Sequence, residues 1–267
     1  MHKSNSTGIS QLRSHEDNPS ATDLAKGSRL SKAHRQGCLV CGEDLIYQTV
    51  LKSKECFICH RMRPSNARCA DGHFVCDRCH SLSANDLVEE MCINSGSKNP
   101  LELARIIMNS EKVPMHGPEH HFIVPAVLLA AYYNMKCDAE EKRNKIKEAR
   151  IRSSNILGGF CGFYGDCGAA VGTGIFMSLV TSATPLSKGE WRLSNMMTAK
   201  SLLSVANHGG PRCCKRNTFL SIIQAIDFSK ENLHVTMDID RDLKCDYSPL
   251  NAECLKNGCP FYPNSHH

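Results

Sequence analysis

The chain has 267 residues, of which 16 are cysteine, and a formal net charge of +5 at pH 7. Its first residues lack the apolar core of a signal peptide, and no run of 18 apolar residues occurs, which argues against a secreted disulfide framework and against a transmembrane helix. The charge is too mild and too dispersed to predict nucleic-acid binding. We therefore expect a cytoplasmic protein, in which clustered thiols are typical of metal or redox chemistry.

Three parts are predicted along the chain. Residues 1–37 carry seven serines and few large apolar residues, which predicts a disordered tail because such a segment buries too little surface to offset the entropy of ordering. A cysteine-rich module follows over 38–82, and a helical domain over 83–263. The predicted fold class is mostly α, with an N-terminal zinc-ribbon or RING-like module of the treble-clef type.

The module contains two complete sets of tetrahedral metal ligands. Two C-x2-C pairs, separated by 14 residues, precede the pattern C-x3-H-x2-C-x2-C. Four such ligands close a zinc site without an open coordination position, so we expect two structural zinc ions. The ligands are Cys38, Cys41, Cys56, Cys59, Cys69, His73, Cys76 and Cys79. Their pairing stays open, because a sequential ribbon and an interleaved cross-brace both fit.

The ligand order from Cys56 to Cys79 resembles the first half of a RING finger of the seven-in-absentia type. The final C-x2-C of a RING finger is absent downstream, and Cys38 and Cys41 lie upstream instead. This departure argues against ubiquitin-ligase activity.

Helical patterns dominate from residue 83 to about 233. Asn99 before Pro100 predicts a capped helix start, and the run FIVPAVLLAAYY predicts a buried helix that contains a proline. The charged segment 135–154 predicts a surface helix, and TFLSIIQAIDFSKEN predicts a further amphipathic helix. Ser187 and Glu190 predict a capping box at another helix start. A strand is predicted at LHVTMDI, residues 233–239.

Three histidines lie near one predicted helix start. His116 and His120 are four residues apart and His121 follows directly, but a glycine and Pro118 intervene. We therefore expect the helix to begin at Pro118, with His116 just outside it. In this position the histidines are either structural groups or acid–base and metal-binding groups, and the sequence leaves both open.

The stretch GGFCGFYGDCGAAVGTGIFMSL carries Cys161 and Cys167 among seven glycines. Glycine in a helix costs roughly 1 kcal/mol relative to alanine, so close approach of a backbone or of a cofactor must compensate. Asp166 is expected to cap a helix that has Cys167 in its first turn, where the free amides favour the thiolate.

Two further groups of cysteines lie towards the C-terminus. Cys213 and Cys214 stand between Arg212 and two more cations, which are expected to lower the thiol pKa values and to attract an anion. In the polar tail, the third cysteine is followed by proline, a feature of iron–sulfur ligands. Cys245, Cys254 and Cys259, with one of Cys161, Cys167, Cys213 or Cys214, would complete a four-thiolate site.

We predict that the segments MHGPEHH, CGFYGDCG and GGPRCCKR meet in one site, because each is an irregular stretch beside a helix start. The catalytic candidates are His120, His121, Cys161, Cys167, Cys213 and Cys214. The cofactor-binding candidates are Arg212, Cys245, Cys254 and Cys259.

Seven motifs together resemble a prokaryotic family called domain of unknown function 5714. They are CLVCG, ARCADGHFVCDRCH, MHGPEHH, CGFYGDCGAAVGTGIF, PLSKGEWRLSN, GGPRCCKR and ECLKNGCPF, within about residues 38–263. The resemblance implies a cytoplasmic protein, associated in some cases with radical or methyl-transfer enzymes that use S-adenosylmethionine, and it implies no known activity. Residues 167–172 also resemble the CGAxxG box of a small redox-active cysteine family.

Three functions remain open. The first is a redox-active or iron–sulfur protein with a structural double-zinc module, acting with a radical or methyl-transfer enzyme as its protein partner. The second is a non-catalytic, zinc-dependent adaptor, and the third is a metal-dependent transferase or hydrolase that uses the histidine cluster. Thiols beside glycine and arginine favour the first, because an adaptor does not need them. The sequence assigns no reaction or substrate.

Overall fold

The computed structural model describes residues 37–38, 43–56, 61–110 and 112–263. The chain divides into two units, 1–31 and 32–267, and every described residue belongs to the second. The predicted tail up to residue 36 and the ligands Cys41 and Cys59 lie outside the described residues.

Within the described residues, a two-stranded antiparallel sheet precedes eight α-helices. The strands are β1 (Leu45–Glu55) and β2 (Met62–Cys69). The helices are α1 (Asp77–Asn94), α2 (Pro100–Met108), α3 (Glu119–Lys136), α4 (Ala139–Ser153), α5 (Phe160–Phe163), α6 (Gly168–Thr181), α7 (Gly189–Asn207) and α8 (Cys214–Leu233). Two 3₁₀ turns, Ser248–Leu250 and Lys256–Gly258, follow in the C-terminal segment. The prediction of a mostly α fold is confirmed.

The hairpin of β1 and β2 has little core of its own. Leu45 lies opposite Cys69 at one end and Glu55 lies opposite Met62 at the other, with a register shift after Tyr47. No residue of β1 is buried, and β2 buries only polar residues and Cys69. Because an isolated two-stranded hairpin is marginally stable in water, other interactions must hold this one together.

Helix α1 joins the cysteine-rich module to the helical part. It begins directly after Cys76 and continues to Asn94, so the predicted module boundary at residue 82 falls inside it. Ala84, Val88 and Cys92 on this helix are buried in the main hydrophobic core. The module and the helical part are therefore continuous through one helix.

Helix α3 lies at the centre of the helical part, where it packs against α1, α2, α4, α6 and α8. Every residue from 122 to 131 is buried. Pro118 is its N-cap, so the predictions of a buried helix and of His116 outside the helix start are confirmed. Pro125 has no amide hydrogen, which leaves the carbonyl of His121 without its usual helical donor.

Two glycines of α6 allow this helix to approach α3 closely. A Cβ atom on Gly172 would lie 2.8 Å from Cδ of Pro125 and 3.0 Å from the carbonyl oxygen of His121. A Cβ atom on Gly168 would overlap the imidazole of His121. These glycines compensate for their helix-propensity cost through close helix packing, which is one of the two roles that the sequence left open.

Helix starts were predicted with mixed success. The side chain of Asn99 accepts hydrogen bonds from the amides of Leu101 and Glu102, as expected of a cap. The capping box at Ser187 is wrong: α7 begins at Gly189, and Oγ of Ser187 instead accepts a hydrogen bond from the amide of Thr184, at 3.0 Å. A local serine turn thus competes with the cap.

The strand predicted at residues 233–239 is also wrong. His234 ends α8 in the left-handed conformation, and the following residues form no regular element. Val235 and Met237 are nevertheless buried at alternate positions. Buried side chains thus alternate along this segment, but no neighbouring strand in the described residues supplies the ladder that would make it a sheet. No helix in the described part of the chain has both the length and the apolarity that a bilayer crossing requires.

Candidate metal and thiol sites

Three potential ligand atoms of the N-terminal module lie close together. The sulfurs of Cys38 and Cys69 and a ring nitrogen of His73 are all within 4.8 Å of one another. The turn that brings Cys69 and His73 together is closed by a backbone hydrogen bond of 3.0 Å from the Cys69 amide to the His73 carbonyl. Among the described residues, no other three histidine, cysteine or acidic side chains gather their ligand atoms so closely.

A second pair of predicted ligands meets at the other end of β1. The sulfur of Cys56 accepts a hydrogen bond from the backbone amide of Cys76, at 3.3 Å. Both residues are buried, and Cys76 is the N-cap of α1. Cys79 lies in the first turn of α1, but its side chain is outside the described set.

The three segments predicted to share a site come together around Arg212. Its guanidinium donates a hydrogen bond to the hydroxyl of Tyr47 and lies 5.0 Å from the centre of that ring. Arg212 also interacts electrostatically with Cys161, Cys214 and His116. Residues of the other two predicted segments, His116 and Cys161, are thus within electrostatic range of this cation.

Direct contacts also link these segments. The backbone amide of Gly117 acts to lower the pKa of the Cys214 thiol, and Cys167 lies close enough to interact electrostatically with both Cys161 and Cys214. The side-chain amide of Asn217 donates to the sulfur of Cys167 at 3.4 Å. We call Cys161, Cys167 and Cys214 the helical thiol cluster.

Both histidines of α3 have lowered pKa values. Burial, and then the charge of Lys215, lower the pKa of His120 well below its usual value. Burial also lowers the pKa of His121, whose Nδ1 lies 3.2 Å from the carbonyl oxygen of Ile156. His120 Nε2 has no hydrogen-bond partner among the described residues. Neutral imidazole keeps a lone pair for a proton or a metal.

The expected activation of the thiols by neighbouring cations does not occur. Burial raises the pKa of Cys214 to about 12, although Arg212 acts in the opposite direction. Burial likewise raises the pKa of Cys213. Cys167 is the N-cap of α6 and not part of its first turn, and its helix start has no side-chain cap, so the predicted role of Asp166 is wrong.

Cys213 lies with the C-terminal cysteines instead of with Cys161 and Cys167. It lines one small pocket together with the three cysteines of the polar tail, Cys245, Cys254 and Cys259. Cys213 is the N-cap of α8, and the pocket lies between that helix start and the C-terminal segment. The candidate thiols thus form two groups. One is the helical thiol cluster, and the other consists of Cys213 with the three cysteines of the C-terminal segment.

The helical part matches the model of a family of unknown function, DUF5714, over residues 88–262. The chain belongs to the DUF5714 family. Comparisons with curated proteins and with solved structures found no match. The DUF5714 match begins within α1 and includes the helical thiol cluster and the C-terminal cysteines, but none of the predicted zinc ligands of the N-terminal module.

Sequence reasoning missed several buried polar residues of the site. Glu119 of the DUF5714 match is 0% exposed, and its Oε1 lies 2.7 Å from Nδ1 of His80. Lys215 is also 0% exposed and donates hydrogen bonds to the carbonyls of Met108 and Val113. Only the tertiary fold reveals these partners, because they are remote in sequence.

We expect His116 to make the DUF5714 domain sensitive to acid. Burial, and then Arg212, lower the pKa of His116 from 6.5 to about 4. Below pH 6.5 the unfolded chain therefore binds a proton that the folded chain does not, so the free energy of unfolding should fall by up to about 3 kcal/mol towards pH 4 from this group alone.

Urea unfolding of the wild type and of His116→Gln at several pH values between 4 and 7 would measure this effect. The variant should lose less stability than the wild type as the pH falls. His234→Asn is the control, because His234 is exposed and asparagine tolerates its left-handed backbone. Parallel pH profiles of wild type and His116→Gln would contradict the expectation.

Proposed function

We propose that this protein binds two structural zinc ions in an interleaved, treble-clef-type module at its N-terminus, and that the module covers the helical thiol cluster of the DUF5714 domain. The observation that carries the proposal is the grouping of Cys38, Cys69 and His73 within 4.8 Å. Two sulfurs and an imidazole nitrogen are typical zinc ligands. Cys41, three residues after Cys38, supplies the fourth position of this first site.

The geometry of the hairpin favours interleaved sites over a sequential ribbon. A ribbon would need Cys38 and Cys56 on one ion, but these residues flank the two ends of β1. The paired part of β2, from Met62 to Cys69, corresponds to roughly 23 Å at about 3.3 Å per residue. Ligands of one zinc ion lie within about 4 Å of one another, since each bond is about 2.0–2.3 Å long.

The second site is supported by the contact between Cys56 and Cys76. Each belongs to a C-x2-C pair, so Cys59 and Cys79 complete four thiolates. A ligand at the N-cap of a helix is favoured there, because the free amides and the helix dipole stabilise a thiolate. A knuckle, a hairpin and a helix start in this order are the parts of a treble clef.

Tyr47 connects the module to the helical thiol cluster. It belongs to β1, bonds to Arg212 and lies 6.4 Å from the ring of Phe163, between centroids. Phe163 belongs to α5 and lies in the short stretch of sequence between Cys161 and Cys167. When zinc binding folds β1, it would therefore position Tyr47 beside Arg212 and Phe163, next to these thiols.

The test is zinc content per chain in the full-length protein and in serine variants. Cys69→Ser should lose one zinc ion. The double variant C38S/C69S should also lose only one, because both residues serve the same ion, whereas C69S/C76S should lose two. Cys137→Ser is the control, because Cys137 is exposed at the end of α3. A loss of two ions in C38S/C69S would contradict the interleaved pairing, and unchanged zinc in Cys69→Ser would overturn the proposal.

A redox role of the helical thiol cluster is a second candidate, favoured by the proximity of exposed Cys161 to Cys167. Oxidised glutathione would take up the two electrons and two protons that these thiols release as they form a disulfide. Mass spectrometry of peptides should then find a Cys161–Cys167 link that Cys161→Ser abolishes. Modification of Cys137 alone would contradict this role.

A further inference from the structure

We propose that Cys213, Cys245, Cys254 and Cys259 bind a third metal ion, a single Zn²⁺, in a four-thiolate site between the start of α8 and the C-terminal segment. This site is separate from the N-terminal module and does not depend on it. The sequence alone could not choose the fourth cysteine, and the fold points to Cys213.

All four thiols face one small pocket. Each thiol is close enough to interact electrostatically with the other three. The remaining wall is formed mainly by Met115 and the aromatic side chains of Phe219, Tyr247 and Phe261. Such a dry wall excludes competing water and favours soft sulfur ligands around one ion.

The backbone already provides the hydrogen bonds that thiolate ligands need. The sulfurs of Cys213, Cys245 and Cys254 accept amide hydrogen bonds of 3.4, 3.3 and 3.3 Å from the residues three, two and two positions later. Burial raises the pKa of Cys259, and the backbone amides of Phe261 and Tyr262 act in the opposite direction. Amides directed at three of the four sulfurs stabilise negative charge on them.

Two buried cations beside the pocket lack an acidic partner. The ammonium of Lys215 donates to two carbonyls, and the guanidinium of Arg216 donates to the carbonyls of Gly209 and Pro211 and to Asn217. In the described part of the chain, no carboxylate oxygen lies within 4.0 Å of either cation. Four thiolates and one Zn²⁺ carry a net charge of −2, which two buried cations balance.

A single tetrahedral ion requires the four sulfurs to move closer together, and the metal analysis below distinguishes it from an iron–sulfur cluster. Tetrahedral Zn–S bonds of about 2.3 Å place the sulfurs about 3.8 Å apart. The four sulfurs are less tightly gathered than the ligands of Cys38, Cys69 and His73, so a modest contraction is required. The Cys254 and Cys259 turns flank a single 3₁₀ turn, Lys256–Gly258.

Zinc content of the full-length protein tests the site. Cys259→Ser should lose one zinc ion per chain, Cys69→Ser should lose a different one, and the double variant should lose both. Cys254→His, which keeps a zinc ligand at a half-buried position, should retain the ion and so show that ligation, not folding, is measured. Cys137→Ser again serves as the control.

Two results would overturn the inference. The first is unchanged zinc in Cys259→Ser, even if Cys69→Ser loses its ion, which would leave the N-terminal proposal intact. The second is iron and acid-labile sulfide in anaerobically purified protein that disappear in Cys259→Ser. Cobalt substitution gives an independent readout, because tetrahedral Co²⁺ absorbs visible light: Cys259→Ser should lose the thiolate-ligated Co²⁺ absorption of the C-terminal site while Cys69→Ser keeps it.

Discussion

Removal of zinc with a strong chelator is expected to unfold β1 and β2 while α3 stays folded. The hairpin buries no residue of β1 and only polar residues and Cys69 of β2, so it cannot be stable from apolar burial. Structural zinc contributes an apparent binding free energy of about 10–16 kcal/mol in small zinc-dependent domains. The loss of this zinc-binding free energy should therefore destabilise the hairpin by more than its strand pairing stabilises it.

Hydrogen exchange measured with and without chelator would test this expectation. The amides of β1 and β2 should lose their protection, whereas those of α3, whose residues 122–131 are all buried, should keep it. Readdition of Zn²⁺ should restore the protection, and Mg²⁺ should not, because it prefers oxygen ligands. Protection of the hairpin that persists after complete zinc removal would rule out a zinc-dependent module.

Gly172→Ala is expected to destabilise the helical part by about 1–3 kcal/mol, the usual cost of overpacking. Alanine is the better helix former, so the intrinsic change favours the variant by roughly 1 kcal/mol. The new methyl group, however, would lie 2.8 Å from the ring of Pro125 and 3.0 Å from the backbone oxygen of His121. Neither neighbour can rotate away, so α3 and α6 must separate.

Gly189→Ala is the matched control for this variant. Gly189 also lies in a helix, at the start of α7, but a Cβ atom there meets no atom within 4 Å. It should be neutral or slightly stabilising in the same urea titration. Equal effects of the two substitutions would show that α3 and α6 are not packed as described.

The sequence was most informative where structure depends on nearby residues. Asn99 and Pro100 define a helix start locally, and the apolar run around Pro125 can only be buried. The strand predicted around Val235 failed because a strand also needs a neighbour, and no pattern within seven residues reports one. Likewise, Ser187 could form either a cap or a local turn, and the geometry of the preceding loop decided between them.

The thiol sites likewise depend partly on local sequence spacing and partly on the tertiary fold. The knuckle spacings predicted candidate zinc ligands, of which Cys38, Cys69 and His73 lie close together, but which ligands share one ion depends on which ends of the hairpin meet. The partner of the C-terminal cysteines is Cys213, more than 30 positions earlier, and its immediate neighbour Cys214 joins a different cluster. The pKa expectation for Cys214 failed because the sequence reveals its charged neighbours but not its burial, which is the larger influence.

The hydrogen bond between Tyr47 and Arg212 also has a kinetic consequence. The two residues are 165 positions apart, so the loop that this contact closes contains more than half of the chain. During synthesis, β1 leaves the ribosome long before Arg212 does, and domains fold as they emerge. Contacts between residues so far apart in the sequence form late, because the entropy cost of closing such a loop is offset only after the intervening helices have folded. Tyr47 therefore lacks its hydrogen-bond partner for most of translation, and it gains Arg212 only after the segment between α7 and α8 has been made and has packed.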